Sequence, residues 1–214
     1  MPLVKAGDRV SDLKPIFRYG ETEIRYLQKK DKILGREIER IGMIRREVTP
    51  DLFTALISSI VGQQISGKAK DTVWQRLLDR LGGITPQSLA QADFAIVQGC
   101  GMTMRKAAAL QDVAVQVLEG KFDIDGLAAL SDDELCKRLS SLKGVGEWTA
   151  EMLMIFSLER PNVLSYGDLA IRRAIMKLYR HKELDRARFE RYRKRYSPYC
   201  SVASLYLWEL AVEI

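Results

Sequence analysis

Apolar side chains recur at helical spacing along almost the whole chain. Between Glu21 and Ile44 they fall at Ile24, Leu27, Ile33, Leu34, Ile38 and Ile41, the rhythm of one amphipathic helix. Thr49 and Pro50 then supply a cap and a first-turn proline for the apolar helix DLFTALISSIVG. Gly62-Gln63-Gln64 breaks the pattern, and ISGKAKDTVWQRLLDRLGG resumes it until Gly82-Gly83. Thr85-Pro86 opens a short helix, Phe94 to Val97 forms a shorter one, and Thr103 to Leu118 forms a long one that Gly120 closes. Ser131, with Glu134 three residues on, is a capping box for LCKRLSSL. A Gly144–Gly146 turn leads into a helix through Leu158, and Asp168 caps LAIRRAIMKLY. Asp185 caps the basic segment RARFERYRKRY, whose Phe189, Tyr192 and Tyr196 turn inward, and Pro198 opens YCSVASLYLWELAVEI. No alternating strand pattern, repeat or low-complexity stretch is present. The pattern predicts an all-α protein of roughly ten short helices. It forms one unit over residues 1–214 with two lobes, the middle one at 50–160 and the terminal one at 1–49 plus 161–214.

Composition narrows the chemistry. Lys and Arg number 34 against 28 Asp and Glu, a net charge of +6 that favours a polyanionic partner. No apolar run is long enough to cross a bilayer, and residues 1–14 lack the apolar stretch of a signal peptide, so an intracellular protein without a membrane partner is expected. Cys100, Cys136 and Cys200 lie far apart and His181 is the only histidine. That excludes a structural zinc site, a four-cysteine iron–sulfur cluster, and any Ser-His or Cys-His mechanism not built on His181. At the end of its helix, His181 reads as a solvated residue favoured by the helix dipole.

Helix, glycine turn, helix over Asp132 to Phe156 is a helix–hairpin–helix arrangement. Gly144, Val145 and Gly146 can bring peptide N–H groups against a phosphate, because the glycines have no side chains to block the approach. A bare connector would look similar, but GVGEWTA after a capped helix favours the nucleic-acid grip. Asp168 reads two ways, as a helix cap or as a carboxylate meeting a developing positive charge, and the two are compatible. Trp148 and Met152 share a helix face, and Trp208 lies on the last helix; they are core residues or a stacking pocket for a flat cation. Gln63 and Gln64 interrupt two apolar helices, as loop polarity or as side chains that fill the hole left by an extruded nucleotide. Lys68, Lys70, Arg105 and Lys106 begin helices beside glycine loops, which suits phosphate contacts.

Five segments, IVGQQIS (60–66), CGMTMRKAAAL (100–110), LKGVGEWTAEMLMIF (142–156), YGDLAIRRA around Asp168 and YSPYCSVASLYLW (196–208), together resemble the helix–hairpin–helix DNA glycosylases of the 3-methyladenine II type. The resemblance runs from about Ile41 to the C-terminus. It implies a two-lobed all-α fold with the active-site cleft between the lobes. It also implies hydrolysis of the N-glycosidic bond of alkylated purines, such as 3-methyladenine and 7-methylguanine, in duplex DNA by base flipping during base excision repair. By the resemblance Asp168 is the essential acid, and Trp148, Met152 and Trp208 line the base pocket. The duplex-filling wedge is Gln63, Gln64 or Ser66, and Lys68, Arg105, Lys106, Lys143, Gly144, Val145 and Gly146 complete the DNA contacts. A monovalent cation bound by the carbonyls of Ser140, Leu142 and Val145 is implied; no other cofactor is. A monomer is expected, and a nucleoid enzyme of the cytoplasm if the source is bacterial. Two departures stand out. Where the lyase branch has a lysine this chain has Trp148, so a monofunctional enzyme without a Schiff-base step is expected. Tyr166 stands where a proline often precedes the acid by two residues. The competing expectation is a non-catalytic DNA-binding module that keeps the hairpin and has no use for Asp168.

Overall fold

The computed structural model describes residues 15–213, so the signal-peptide reading of residues 1–14 lies outside the described residues. Among them are twelve α-helices: α1 (Glu21–Lys30), α2 (Lys32–Ile41), α3 (Leu52–Gly62), α4 (Gly67–Leu81), α5 (Pro86–Gln91), α6 (Phe94–Gln98), α7 (Met104–Leu118), α8 (Asp132–Ser140), α9 (Glu147–Phe156), α10 (Leu169–Leu178), α11 (Arg186–Tyr196) and α12 (Cys200–Val212). A 3-10 turn at Asp125–Ala129 and an isolated antiparallel bridge between Ile16 and Glu47 complete the regular structure. No helix of the described residues is long and apolar enough to cross a membrane.

Most helix starts lie where the polar punctuation placed them. Ser66, Thr85, Thr103, Ser131, Asp168 and Asp185 each accept a backbone N–H from the first turn of the helix that follows. Three expectations need correction. The Glu21–Ile44 pattern is two helices, because the buried Asp31 ends α1 and caps α2, accepting the N–H groups of Ile33 (3.0 Å) and Leu34 (3.1 Å). The cap of α3 is Asp51, which accepts the Thr54 N–H at 2.6 Å; Thr49 and Pro50 lie before it, and the Thr49 N–H binds Phe156 O at 2.8 Å. His181 is not simply solvated: Nε2 pairs with the Tyr192 hydroxyl at 2.6 Å, and burial lowers its pKa, aided by Arg188 and Arg191.

Helix packing falls into two sets. In one, α7 lies against α3, α5 and α6, α3 touches α4 and α9, and α8 lies on α9. Its centre is sealed by Leu56, Ile57, Ile60 and Leu110. In the other, α12 lies against α1, α2, α10 and α11, around Leu27, Leu34, Phe189, Tyr196 and Tyr206. The segment that leads from α9 to α10 is sewn onto α12 by two buried serines. Ser201 Oγ accepts the Val163 N–H at 3.0 Å, and Ser204 Oγ donates to Val163 O at 3.0 Å. Satisfying these buried polar groups fixes where Asp168 emerges relative to α12.

Candidate active site and nucleic-acid interface

Asp168 is the N-cap of α10, and its Oδ1 accepts the Ile171 N–H at 2.9 Å. Capping therefore accounts for one carboxylate oxygen. The other oxygen, Oδ2, accepts two indole N–H groups, from Trp148 at 2.9 Å and from Trp208 at 3.1 Å. Trp148 comes from α9 and Trp208 from α12, so one acid joins the two sets of packed helices. Three N–H donors from three helices fix the plane of the carboxylate, and hydrogen bonds to a charged acceptor are the strong kind.

The loop before the acid is held as firmly. Asp168 N–H donates to Ser165 O at 3.4 Å, and Ser165 Oγ donates to Glu151 Oε2. Glu151 follows Trp148 by three residues, so one face of α9 reaches both the acid and its loop. Burial raises the Glu151 pKa; the Ser165 hydrogen bond opposes this, Glu147 and Asp168 add to it and Arg186 offsets it. Tyr166 lies edge-on to Phe189 (5.2 Å between ring centroids), with the guanidinium groups of Arg172 and Arg186 at 4.8 and 5.2 Å from its ring centroid.

Asp168 is only 7% exposed, whereas Trp148 is 47% exposed and the neighbours Gly167 and Leu169 are open to solvent. The acid is thus close to the surface, beneath an accessible indole. Trp148 is not a core residue; Trp208 is partly buried against Phe156, with ring centroids 5.4 Å apart. Met152 packs against the core. Asp168 itself lines neither of two clefts that border the hairpin and α9. One, of about 400 Å³, is lined by Glu151, Tyr166 and Arg186 among others.

The other cleft, of about 530 Å³, gathers most of the residues expected to touch DNA: Gln63, Gln64, Arg105, Lys106, Lys143, Gly144, Val145 and Gly146. Ser66 and Lys68 do not line it; Ser66 caps α4, its Oγ accepting the Ala69 N–H at 3.2 Å. The hairpin between α8 and α9 turns at Gly144, whose φ of +86° suits glycine. The Val145 N–H closes that turn onto Leu142 O at 3.1 Å, so the expectation that it is offered to a phosphate is corrected. The donors available are those at the start of α9. Its cap is Gly146, no side chain accepts its first-turn N–H groups, and such an end is a ready anion site.

Two further members of the expected DNA set turn inward. Gln63 Nε2 donates to Gly144 O at 2.8 Å, and Lys106 Nζ donates to Val61 O at 2.9 Å and to Gln63 O. Lys106 is therefore placed as a tie between α7 and the end of α3 rather than as a phosphate contact, and burial lowers its pKa. Gln64, with φ of +58°, stands exposed at the loop tip beside Ile65, which is 39% exposed. Ile65 escaped the sequence reading. An apolar side chain next to two glutamines was the available signal. The carbonyl of Leu142, one of the three expected cation ligands, accepts the Val145 N–H and keeps a second lone pair. Hard, neutral carbonyl oxygens are a donor set that an alkali cation takes.

Comparison with known proteins fits this arrangement. Residues 57–198 match the model of the HhH-GPD superfamily base excision DNA repair proteins. DNA-3-methyladenine glycosylase 1 of Schizosaccharomyces pombe is 32% identical over 183 residues, which cover 83% of this chain and 78% of that protein. The crystal structure of a DNA-3-methyladenine glycosidase from Bacillus halodurans superposes with a TM-score of 0.81 at 34% identity, covering 88% of each chain. A second structure, the S. pombe 3-methyladenine DNA glycosylase Mag1 in complex with abasic DNA, gives a TM-score of 0.73 at 28% identity, over 88% of this chain and 95% of that one. With its glycine hairpin, its capping acid and these relatives in agreement, the chain belongs to the HhH-GPD superfamily of base excision DNA repair proteins, as a DNA glycosylase of the 3-methyladenine type.

Proposed function

We propose that this chain is a monofunctional glycosylase that releases alkylated purines, of the 3-methyladenine and 7-methylguanine type, from duplex DNA. The observation that carries the reading is the Asp168 carboxylate, held by two indole N–H groups and a helix start, beneath an exposed tryptophan. The names of the relatives supply the substrate class.

The two helix sets act as two lobes, with the acid at their junction. The uncapped start of α9, Lys143 and Arg105 hold phosphates, and a monovalent cation on the carbonyls of Ser140, Leu142 and Val145 would offset phosphate charge there. The damaged nucleotide leaves the stack at a cost of a few kcal/mol, less where methylation has weakened its pairing. Gln64, with Ile65 beside it, fills the vacancy. In the free protein two indole donors crowd Asp168 Oδ2, and the entering nucleoside displaces one of them. Trp148, the exposed indole, is the one able to move, and its face can then stack on the flat cationic base, with Met152 behind it.

A purine methylated at N3 or N7 is positively charged and leaves with the electron pair of the C1′–N bond. Positive charge develops on the sugar, and the Asp168 carboxylate stabilises it. Water adds to C1′, and its proton passes by way of the carboxylate to solvent. No step needs an amine nucleophile, because Trp148 stands where a lyase would carry lysine. A non-catalytic binding module would leave the assembly around Asp168 without a task.

Asp168→Asn keeps the helix cap and removes the charge. It should lower release of free base from methylated duplex DNA by about 100-fold or more while the protein still binds DNA. Turnover equal to wild type would overturn the assignment. Borohydride should trap no enzyme–DNA adduct, and efficient trapping would instead require a covalent amine intermediate.

A further inference from the structure

Lys106 has no part in the chemistry above, yet its position is specific. Its ammonium reaches from α7 to the last turn of α3, where Val61 O (2.9 Å) and Gln63 O accept two of its three N–H donors. The next link is Gln63 itself, whose side chain donates to Gly144 O in the hairpin at 2.8 Å. Gly144 in turn fits closely against α7: a Cβ there would meet the Ala109 Cβ at 3.4 Å. Hairpin, α7 and the loop after α3 thus form one closed chain of contacts. Beyond its last tied residue come Gln64, held in the left-handed region, and Ile65, both exposed at the mouth of the cleft.

A loop that enters a base stack must resist being pushed back, and a loop with only its own backbone to hold it would yield. We propose that Lys106 is a positioning residue for nucleotide extrusion: it fastens the Gln64–Ile65 tip to the hairpin, so that gripping the phosphates and filling the vacated position become one rigid move. The proposal rests on the reading of the chain as a base-extruding glycosylase. A lysine that merely caps the end of α3 would make the same bonds, so the test must separate a stability role from an extrusion role.

Two duplexes separate them, one with 7-methylguanine paired to cytosine and one with 7-methylguanine facing an abasic site, where no base pair has to be broken for extrusion. Single-turnover base release is measured on both for wild type, Lys106→Met and Lys106→Arg. In Lys106→Met the ratio of the rate on the unpaired lesion to that on the paired one should rise about tenfold over wild type. Arginine, which keeps the charge and the donors, should bring the ratio back toward wild type. A ratio unchanged in Lys106→Met, whether or not both rates fall, would overturn the proposal, because lost stability slows both substrates alike. A second readout does not depend on base release: 2-aminopurine placed beside an abasic site brightens when a side chain enters the stack. Lys106→Met at saturating protein should lose at least half of that signal, and a signal equal to wild type would overturn the proposal. If the wild-type protein releases no base from either duplex, 7-methylguanine leaves the proposed substrate class, while the fluorescence still decides the role of Lys106.

Discussion

One oxygen of Asp168 accepts two indole N–H groups, but the two donors are not equivalent. Trp208 lies partly buried against Phe156, and Trp148 is 47% exposed. If the nucleoside enters by displacing Trp148, only the Trp208 bond persists to hold the carboxylate in place against the reacting carbon. Phenylalanine keeps an aromatic face and deletes the donor. Trp208→Phe should therefore slow single-turnover base release roughly 10- to 100-fold, the cost of letting a catalytic group drift from its working geometry. Trp148→Phe should slow it by no more than about threefold, because a bond absent from the transition state contributes nothing to it. Equal losses in the two variants would contradict the displacement of Trp148. In the sequence, Asp168 was legible as a cap, which its Oδ1 is; the role of acid belongs to the proposed function. The indole donors were not legible. Tryptophan enters a hydrophobic pattern as an apolar residue, and only the fold brings Trp208, forty residues along the chain, to the same oxygen.

The helix α9 carries the hairpin at its start, Trp148 in its first turn and Glu151 one turn later. Burial raises the Glu151 pKa above the ordinary 4.5, so its ionised form is disfavoured in the folded protein. Below about pH 4.5 the group is protonated in folded and unfolded chains alike and carries no penalty; as pH rises through the raised folded value, stability is lost. Glu151→Gln keeps an acceptor for Ser165 and removes the charge. Its thermal midpoint should exceed that of wild type at neutral pH, and the difference should shrink to nothing as pH falls toward the unfolded value. A gain that persists undiminished in acid would assign the effect to packing instead. At this scale the sequence was most readable, since capping is local chemistry and Ser131, Asp168 and Asp185 all cap as read. The break at Asp31 was hidden because the apolar rhythm runs on through it. What ends α1 there is a tertiary network, with partners more than a hundred residues away.

That network holds the second set of helices together, and with it the alignment of Trp208 to Asp168. Asp31 Oδ1 caps α2, while Oδ2 accepts the Tyr179 hydroxyl at the end of α10 and Arg195 Nη1 on α11, both at 2.7 Å. Tyr196 adds a second hydroxyl, 2.7 Å from that of Tyr179. The acid is 4% exposed, so alanine there would strand buried donors and remove a cap. Because the Arg195 side chain keeps 43% of its exposure, its share falls toward that of a surface pair, and the total loss should be about 2–3 kcal/mol. For a chain of this size that lowers the thermal midpoint by roughly 4–12 °C. Asp31→Asn, which keeps an acceptor for the α2 cap, should fall between alanine and wild type. The hairpin cleft belongs to the other set of helices, so warming Asp31→Ala should remove base release before it removes DNA binding. Simultaneous loss of both activities would mean that the two sets unfold as one and that Asp31 stabilises the whole molecule rather than one half of its active site.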